Sequence, residues 1–333
     1  MTLLALGLGL QFARAQPIED TFRGKTVKIV LPVPSAGGDR ALYTLAFAPF
    51  FARHIPGNPS IQPVFMGGAG GSAAVNYVYN VAAQDGLTLV TPLTGVVMTQ
   101  ALGDESVRYD VSRMHWIGRT SDATRIFFVS SKVGARVLDD FRRKEVVIGA
   151  VSRASETFSN PAFINKVFGT KFKIVSGYQS ASKAILAFDV GETEGIFTTW
   201  VDVSTFHSEW LTNGKIRLIL QIGLTKNPTL PDLPLLLDLA ENDADRQLVT
   251  FMASGSQMGQ SFAAPPGTPP AVVAALRRAF EDTMKDPGFI EKMRASRLQF
   301  NPMSGERLAQ AVVRTLGAPK TVIARYKAAV AGD

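Results

Sequence analysis

Four short stretches of the 333-residue chain carry side chains and glycines of the kind that hold small molecules. The first is Ser35-Ala36-Gly37-Gly38-Asp39, between a strand-like run and a helix-like run. Glycines there let backbone N–H groups approach a ligand, and a helix N-terminus adds partial positive charge that favours anions. A plain tight turn needs the same glycines. The second stretch is 67–73 (GGAGGSA), where Gly68, Gly70 and Ala73 match a G-x-G-x-x-A dinucleotide fingerprint. That fingerprint also needs an acid ending the next strand, to hold a ribose. The run LTLVTPLTG ends without one, so these glycines are expected to serve close packing or a ligand loop. The third stretch is Ser152-Arg153-Ala154-Ser155, ahead of another helix pattern. Its hydroxyls and guanidinium suit an anion, although serines before a helix also act as caps. The fourth is Thr198-Thr199-Trp200, two hydroxyls and an indole ending a strand. It reads either as the lip of a pocket or as core.

Groups activated for catalysis are not legible. His54, His115 and His207 sit in no H-E-x-x-H or other metal spacing. There is no G-x-S-x-G elbow and no G-x-x-x-x-G-K-S/T loop. The absence of cysteine removes disulfides, thiolate chemistry and Cys-ligated metals together. No catalytic residue, metal ligand or cofactor is therefore expected, and the histidines read as surface or packing residues.

The elements that must position these stretches alternate between strand and helix patterns, which argues for βαβ units and mostly parallel sheets. Strands are expected at 26–32, 61–65, 87–92 and 124–130, with helices at 41–54 and 72–83. The rhythm restarts with strands at 145–150, 172–176, 193–197 and 215–222, and helices to about 168 and at 180–190. Ser72 is expected as an N-cap and Gly191 as the residue just past a helix end. The segment 249–264 reads as extended. Thr268 reads as the N-cap of a helix over 271–285, and two further helices over 287–295 and 304–330 end the chain.

A length of 333 residues suggests two domains at about 100–200 residues each. They are assigned as 16–124 with 250–333, and 125–249, with the extended segments as crossovers and a cleft between the lobes. The net charge of +7 comes from scattered Lys and Arg, with Arg142-Arg143-Lys144 the longest cluster, so nucleic acid is not an expected partner. A modest positive field favours capture of small anions instead. Residues 1–15 read as a shortened secretory signal: an apolar run from Leu3 to Leu10, then Ala13-Arg14-Ala15 as a cleavage site. No later run reaches the ~18 apolar residues of a membrane helix, so the mature chain is expected to be soluble and periplasmic.

Several of these stretches, in their order and spacing, resemble the receptors of tripartite tricarboxylate transporters, the TctC-like or Bug-type solute-binding proteins. The matching segments are TVKIVLPVPSAGGD, RHIPGNP at 53–59, the glycines at 67–71, and NYVYNVAAQDG at 76–86. LPDLP at 230–234, FAAPPGTP at 262–269, GTKFKIVSGY at 169–178 and GETEG at 191–195 continue the match. The resemblance spans about residues 24–310. It implies an α/β fold of the type II periplasmic-binding-protein kind, with two lobes, central mixed sheets flanked by helices, and a ligand cleft between them. It also implies capture of a small carboxylate without catalysis, delivery to membrane permease subunits, and a monomer. Carried onto this chain, the carboxylate would meet Ser35, Ala36, Gly37 and Gly38 in one lobe and Ser152 to Ser155 in the other. Tyr178, Thr198 and Thr199 would lie nearby. The family turn is richer in Pro-Gly-Gly and has its Asp later, about where Ala41 stands here. The second loop lacks the family's glycines and carries Arg153. An early Asp39 and an added Arg153 are what an amino-bearing or zwitterionic ligand would call for, among others. The rival readings are a dinucleotide-dependent oxidoreductase built on Gly68–Ala73 and a periplasmic co-sensor for a signalling kinase.

Overall fold

The computed structural model describes residues 17–153 and 155–331. The expected leader, 1–15, lies outside the described residues. After a short helix α1 (Ile18–Phe22), the chain lays down β1 (Thr26–Leu31), α2 (Asp39–His54), β2 (Ser60–Phe65), α3 (Ser72–Asn80), β3 (Thr88–Val90), α4 (Val96–Ala101) and β4 (His115–Arg119). It then crosses to a second sheet: β5 (Arg125–Ser130), β6 (Glu145–Ala150), α5 (Glu156–Phe168), β7 (Lys171–Ser176), α6 (Ala181–Asp189), β8 (Gly195–Thr199), α7 (Glu209–Thr212) and β9 (Ile216–Ile222). Helix α8 (Asp243–Ser254) leads back to β10 (Ser261–Ala264) in the first sheet. Helices α9 (Pro270–Lys285) and α10 (Pro287–Ala295), β11 (Met303–Ser304), α11 (Gly305–Leu316) and α12 (Lys320–Val330) end the chain.

The first sheet has the order β11-β4-β10-β3-β1-β2 and the second β7-β6-β8-β5-β9. In each sheet parallel pairs (β1 with β2 and β3; β6 with β7 and β8) meet antiparallel ones, because the crossing strands β5 and β10 enter against the grain. Each sheet is covered on both faces, so its central strands are apolar on both sides. One face of the first sheet packs α2 and α9 around Phe47, which stacks on Phe262 with ring centroids 4.4 Å apart. The other face buries Trp116, Val75 and Val312. In the second sheet Phe127 stacks on Phe197 at 4.4 Å on one face, while Phe128, Phe188 and Trp210 fill the other.

The two crossings run side by side. The Thr120 amide donates to the Gln260 carbonyl (3.0 Å), the Gln260 amide to Ser121 (2.8 Å), and the Ala123 amide to Ser256 (3.0 Å). Gly259 lies in the second crossing with φ +25°, and a Cβ there would run into the Ser121 carbonyl oxygen. Only glycine lets the two connections approach this closely.

Five sequence expectations need correction. The sheets are not mostly parallel: among the described residues four strand pairs are parallel and five antiparallel. The segment expected to be extended from 249 is helical as far as Ser254, and extended structure begins only at Ser261. The run 304–330 is two helices, broken at Gly317-Ala318-Pro319, where proline removes a helix donor. The second of these, α12, does not return to the first lobe. Its Val322, Tyr326 and Ala329 join the core that Phe163 and Phe251 build under α5 and α8. The proposed caps also shift. Ser72 is the first residue of α3 and caps nothing, and the Thr268 hydroxyl donates back to the Pro265 carbonyl at 2.9 Å while α9 starts at Pro270. Gly191, with φ +83°, follows the α6 cap Val190 as expected.

Candidate functional site: an interlobe cleft

The β1–α2 turn stands at the carboxyl end of the first sheet's strands, a favoured ligand position in open α/β sheets. Ser35, Ala36 and Gly37 are exposed, and Gly38 takes φ +90° as the cap residue of α2. That geometry aims the first helical N–H groups out of the turn. Asp39 follows, its Oδ1 accepting from the Arg40 amide (2.6 Å) and its Oδ2 from Gln260 Nε2 (3.3 Å).

Arg40 is the missed residue of this turn. It is 5% exposed, and its one side-chain hydrogen bond among the described residues goes to Thr91 Oγ1 at 3.0 Å. Its buried Nε has no partner among the described residues. Burial pulls the guanidinium pKa down to about 10; Asp39 opposes this and Arg125 adds to it. A buried charge without an opposite charge in contact is costly, and an anion that met it would offset that cost.

The β6–α5 loop of the second lobe behaves differently. The Ser155 hydroxyl donates to the Ser152 carbonyl (2.7 Å), accepts from the Ser152 amide (3.2 Å) and lies 2.6 Å from Thr157 Oγ1. Arg153 donates to the Ala331 carbonyl (3.1 Å) and covers the Phe158 ring, which turns it toward α12 and away from Asp39. Ala154 lies outside the described residues. The group that does reach the first lobe is Glu156, at the start of α5. It pairs with Arg125 and accepts from Thr94 Oγ1 (2.7 Å), and Arg125 also donates to Thr94 (2.9 Å). A carboxylate in the first turn of a helix is favoured by the helix dipole.

Thr198 and Thr199 do face the cleft region, but as hydrogen-bond donors to Asp202. Both hydroxyls reach its Oδ2, that of Thr199 at 2.9 Å. Burial, with the charge of Asp39 across the cleft, pushes the Asp202 carboxyl up to about 6. Asp202 and Gly38 line one cavity of about 330 Å³, together with Ile185, Leu186, Phe206 and His207. The same 202–206 turn touches the first lobe: Val201 packs into that lobe's core and Thr205 Oγ1 donates to the Arg297 carbonyl at 3.3 Å.

Trp200 belongs to the core. It is 9% exposed among Ile126, Phe128 and Val203, with its Nε1 donating to Thr229 Oγ1 (2.9 Å). Tyr178 donates to Glu192 Oε1 (2.6 Å), and burial together with that carboxylate pushes its hydroxyl pKa up to about 12. The structure thus brings Gly38, Asp39, Thr198 and Thr199 together, and leaves Arg153, Tyr178 and Trp200 elsewhere. Of the missed groups, Arg125 gave no signal, and Glu156 ends the 151–156 stretch but stands there as an ordinary first-turn acid. Asp202 could have been found from Thr198-Thr199-x-x-Asp202, hydroxyls three and four residues before a carboxylate. Arg40 stood out only as a charge among apolar helix neighbours.

The Gly67–Gly71 loop has a packing role. Gly70 and Gly71 have φ of +60° and +94°, and a Cβ on Gly71 would lie 2.9 Å from Leu93 Cδ1. The histidines are dispersed: His54 bonds Asp286 (3.0 Å), His115 bonds the Pro266 carbonyl (2.9 Å) and His207 stacks on Trp210 (4.1 Å between ring centroids). Among the described residues no cluster of three His, Asp or Glu could hold a metal ion, and no helix is long and apolar enough to cross a membrane.

No family model matches the sequence, and no curated protein matches it. Solved structures do. The periplasmic binding protein BugD is similar at TM-score 0.71 and 17% identity, covering 92% of this chain and 98% of that one. MatC from Rhodopseudomonas palustris with bound malate gives 0.68 and 19%, over 93% and 100%. A further R. palustris protein with adipate gives 0.69 and 16%, over 92% and 97%. The fold is therefore the two-lobed α/β fold of periplasmic binding proteins, as the sequence resemblance implied, with paired mixed sheets.

Proposed function

We propose that this chain is an extracytoplasmic solute-binding protein that captures a small carboxylate between its lobes and presents it to the permease of a tripartite tricarboxylate-type transporter. It acts by binding and not by catalysis. The observation that carries this reading is Arg40: a buried guanidinium beside the α2 N-terminus, with a threonine hydroxyl as its partner and no carboxylate in contact among the described residues. A ligand carboxylate there would gain charge-assisted hydrogen bonds and relieve the cost of the buried charge. Two similar solved structures carry malate and adipate, both small carboxylates. Contacts from both lobes would favour the closed arrangement, because a ligand shifts a conformational equilibrium by its differential affinity for the two states.

The test is a thermal-shift screen of the mature protein against C3–C6 mono-, di- and tricarboxylates, amino acids and benzoates, followed by calorimetry. A ligand that binds only the folded state raises Tm with RT ln(1 + [L]/Kd). A concentration-dependent rise with one carboxylate class is expected. No rise with any of them, using protein stripped of co-purified ligand by unfolding and refolding, defeats the reading.

A further inference from the structure

We infer that the cleft is built for a zwitterion, with Arg40 receiving the ligand's carboxylate and Asp202, backed by Asp39, receiving a cationic nitrogen. This rests on the capture reading and narrows its substrate class. The charges that meet at the cleft divide into those already matched and those left over. Glu156 is paired with Arg125, and Asp189, which also lines the cavity beside Asp202, is paired with Lys215. Arg40, Asp39 and Asp202 have no ion-pair partner among the described residues.

Asp202 offers a free acceptor. All its described hydrogen bonds fall on Oδ2, from Thr198 and Thr199, so Oδ1 remains open in the residue that lines the cavity. In the first lobe, behind Gly38 and beside Asp39, the buried Arg40 Nε is likewise unmatched among the described residues, and so is Oε1 of Gln260, the residue whose amide nitrogen holds Asp39. A plain dicarboxylate would set a second negative charge against Asp202 and Asp39, a repulsive element that selects against it. A carboxylate at one end and a cationic nitrogen at the other matches the left-over charges with the right signs. Ile185, Leu186 and Phe206 supply an apolar wall for a short carbon chain, and a cavity of about 330 Å³ limits the ligand to a small one.

The pH dependence carries a sign. The groups facing Asp202 are the Thr198 and Thr199 hydroxyls, Asp39 from α2, Arg125 from β5 and His207 from its own turn; Asp189 of α6 is held by Lys215. With its carboxyl at about 6, Asp202 is largely neutral at pH 5 and charged at pH 8. A cationic group is therefore held more tightly as pH rises. A plain carboxylate is held less tightly.

Calorimetry with matched pairs decides the matter: alanine against propionate, 4-aminobutyrate against butyrate, and glycine betaine against acetate, at pH 5 and pH 8. The protein is the mature chain freed of co-purified ligand. The expected result is that the zwitterion of one pair binds at least ten-fold tighter than its plain partner and gains affinity between pH 5 and pH 8. D202N removes that preference and the pH gain, while R153A, whose guanidinium lies on the Ala331 carbonyl and the Phe158 ring, keeps both. If D202N fails to fold, the wild-type preference and the sign of its pH trend still decide. A plain acid binding tighter than its amino partner, or zwitterion affinity falling as pH rises, overturns the inference and leaves carboxylate capture standing. Failure of all six ligands to bind overturns the inference, and carboxylate capture then stands or falls by the wider carboxylate screen.

Discussion

Helices α2 and α5 begin in equivalent places, each after a strand of its lobe and each behind a short polar turn. At α2 the turn itself is exposed, Gly38 opens on the cavity, and the charge just inside the helix, Arg40, is buried with a single hydroxyl for company. At α5 the serine hydroxyls close on their own backbone, Arg153 lies against α12, and the charge just inside the helix, Glu156, is matched by Arg125 and Thr94. The first start is left with an unmet electrostatic demand and the second has none. Two helix N-termini of similar composition can thus divide the work. On the proposed reading one receives the ligand; the other latches one lobe to the other.

The largest effect is expected from R40M. It should weaken carboxylate binding about 30- to 100-fold, the ~2–3 kcal/mol of a charge-assisted contact. The ligand-free protein should melt no lower than wild type, since replacing an unpaired buried charge by an apolar chain of similar length is neutral or stabilising. Calorimetry and a melting curve on the same variant check both halves, and intact affinity would break the contrast.

G259A disturbs the paired crossings that let the two starts meet. The Ser121 carbonyl occupies the space a Cβ needs, so the expected cost is about 2–3 kcal/mol in denaturant unfolding.

A smaller effect belongs to Asp202. Its folded carboxyl stands near 6, above the ~3.9 of an unfolded chain, so the native state holds the extra proton between those values. Stability from this group is present below about pH 4 and is lost as pH rises through about 6. D202N should therefore melt higher than wild type at pH 8 and close to it at pH 4, by roughly 1–2 kcal/mol after allowance for its partial exposure.

The smallest effects test the other side. R153A should change ligand affinity by less than about two-fold, because among the described residues its guanidinium holds the Ala331 carbonyl and a ring face. A ten-fold loss there would return Arg153 to the cleft and erase the difference between the two helix starts.

Strand and helix types around β1, β3, β5, β6 and β9 were legible because their apolar runs and turn residues agree with the fold at short range. β4 (HWIGR) was not, since a half-polar five-residue run carries no period of its own. The last turns of α8 read as extended because their buried residues Leu248, Val249, Phe251, Met252 and Ala253 form a nearly continuous apolar run without a clear helical period.

The sequence by itself determined the number of lobes, the α/β alternation, and the place of the first turn at a strand's carboxyl end. Those features are local, or follow from periodicity and backbone geometry. Only the tertiary structure decided which polar groups are free. Arg40 and Arg153 are alike as letters. Arg40 lies under a strand end next to a threonine 51 positions away, and Arg153 lies on a carbonyl 178 positions away. Whether a charge is matched depends on what the chain folds against it, and that pairing has no trace in local spacing.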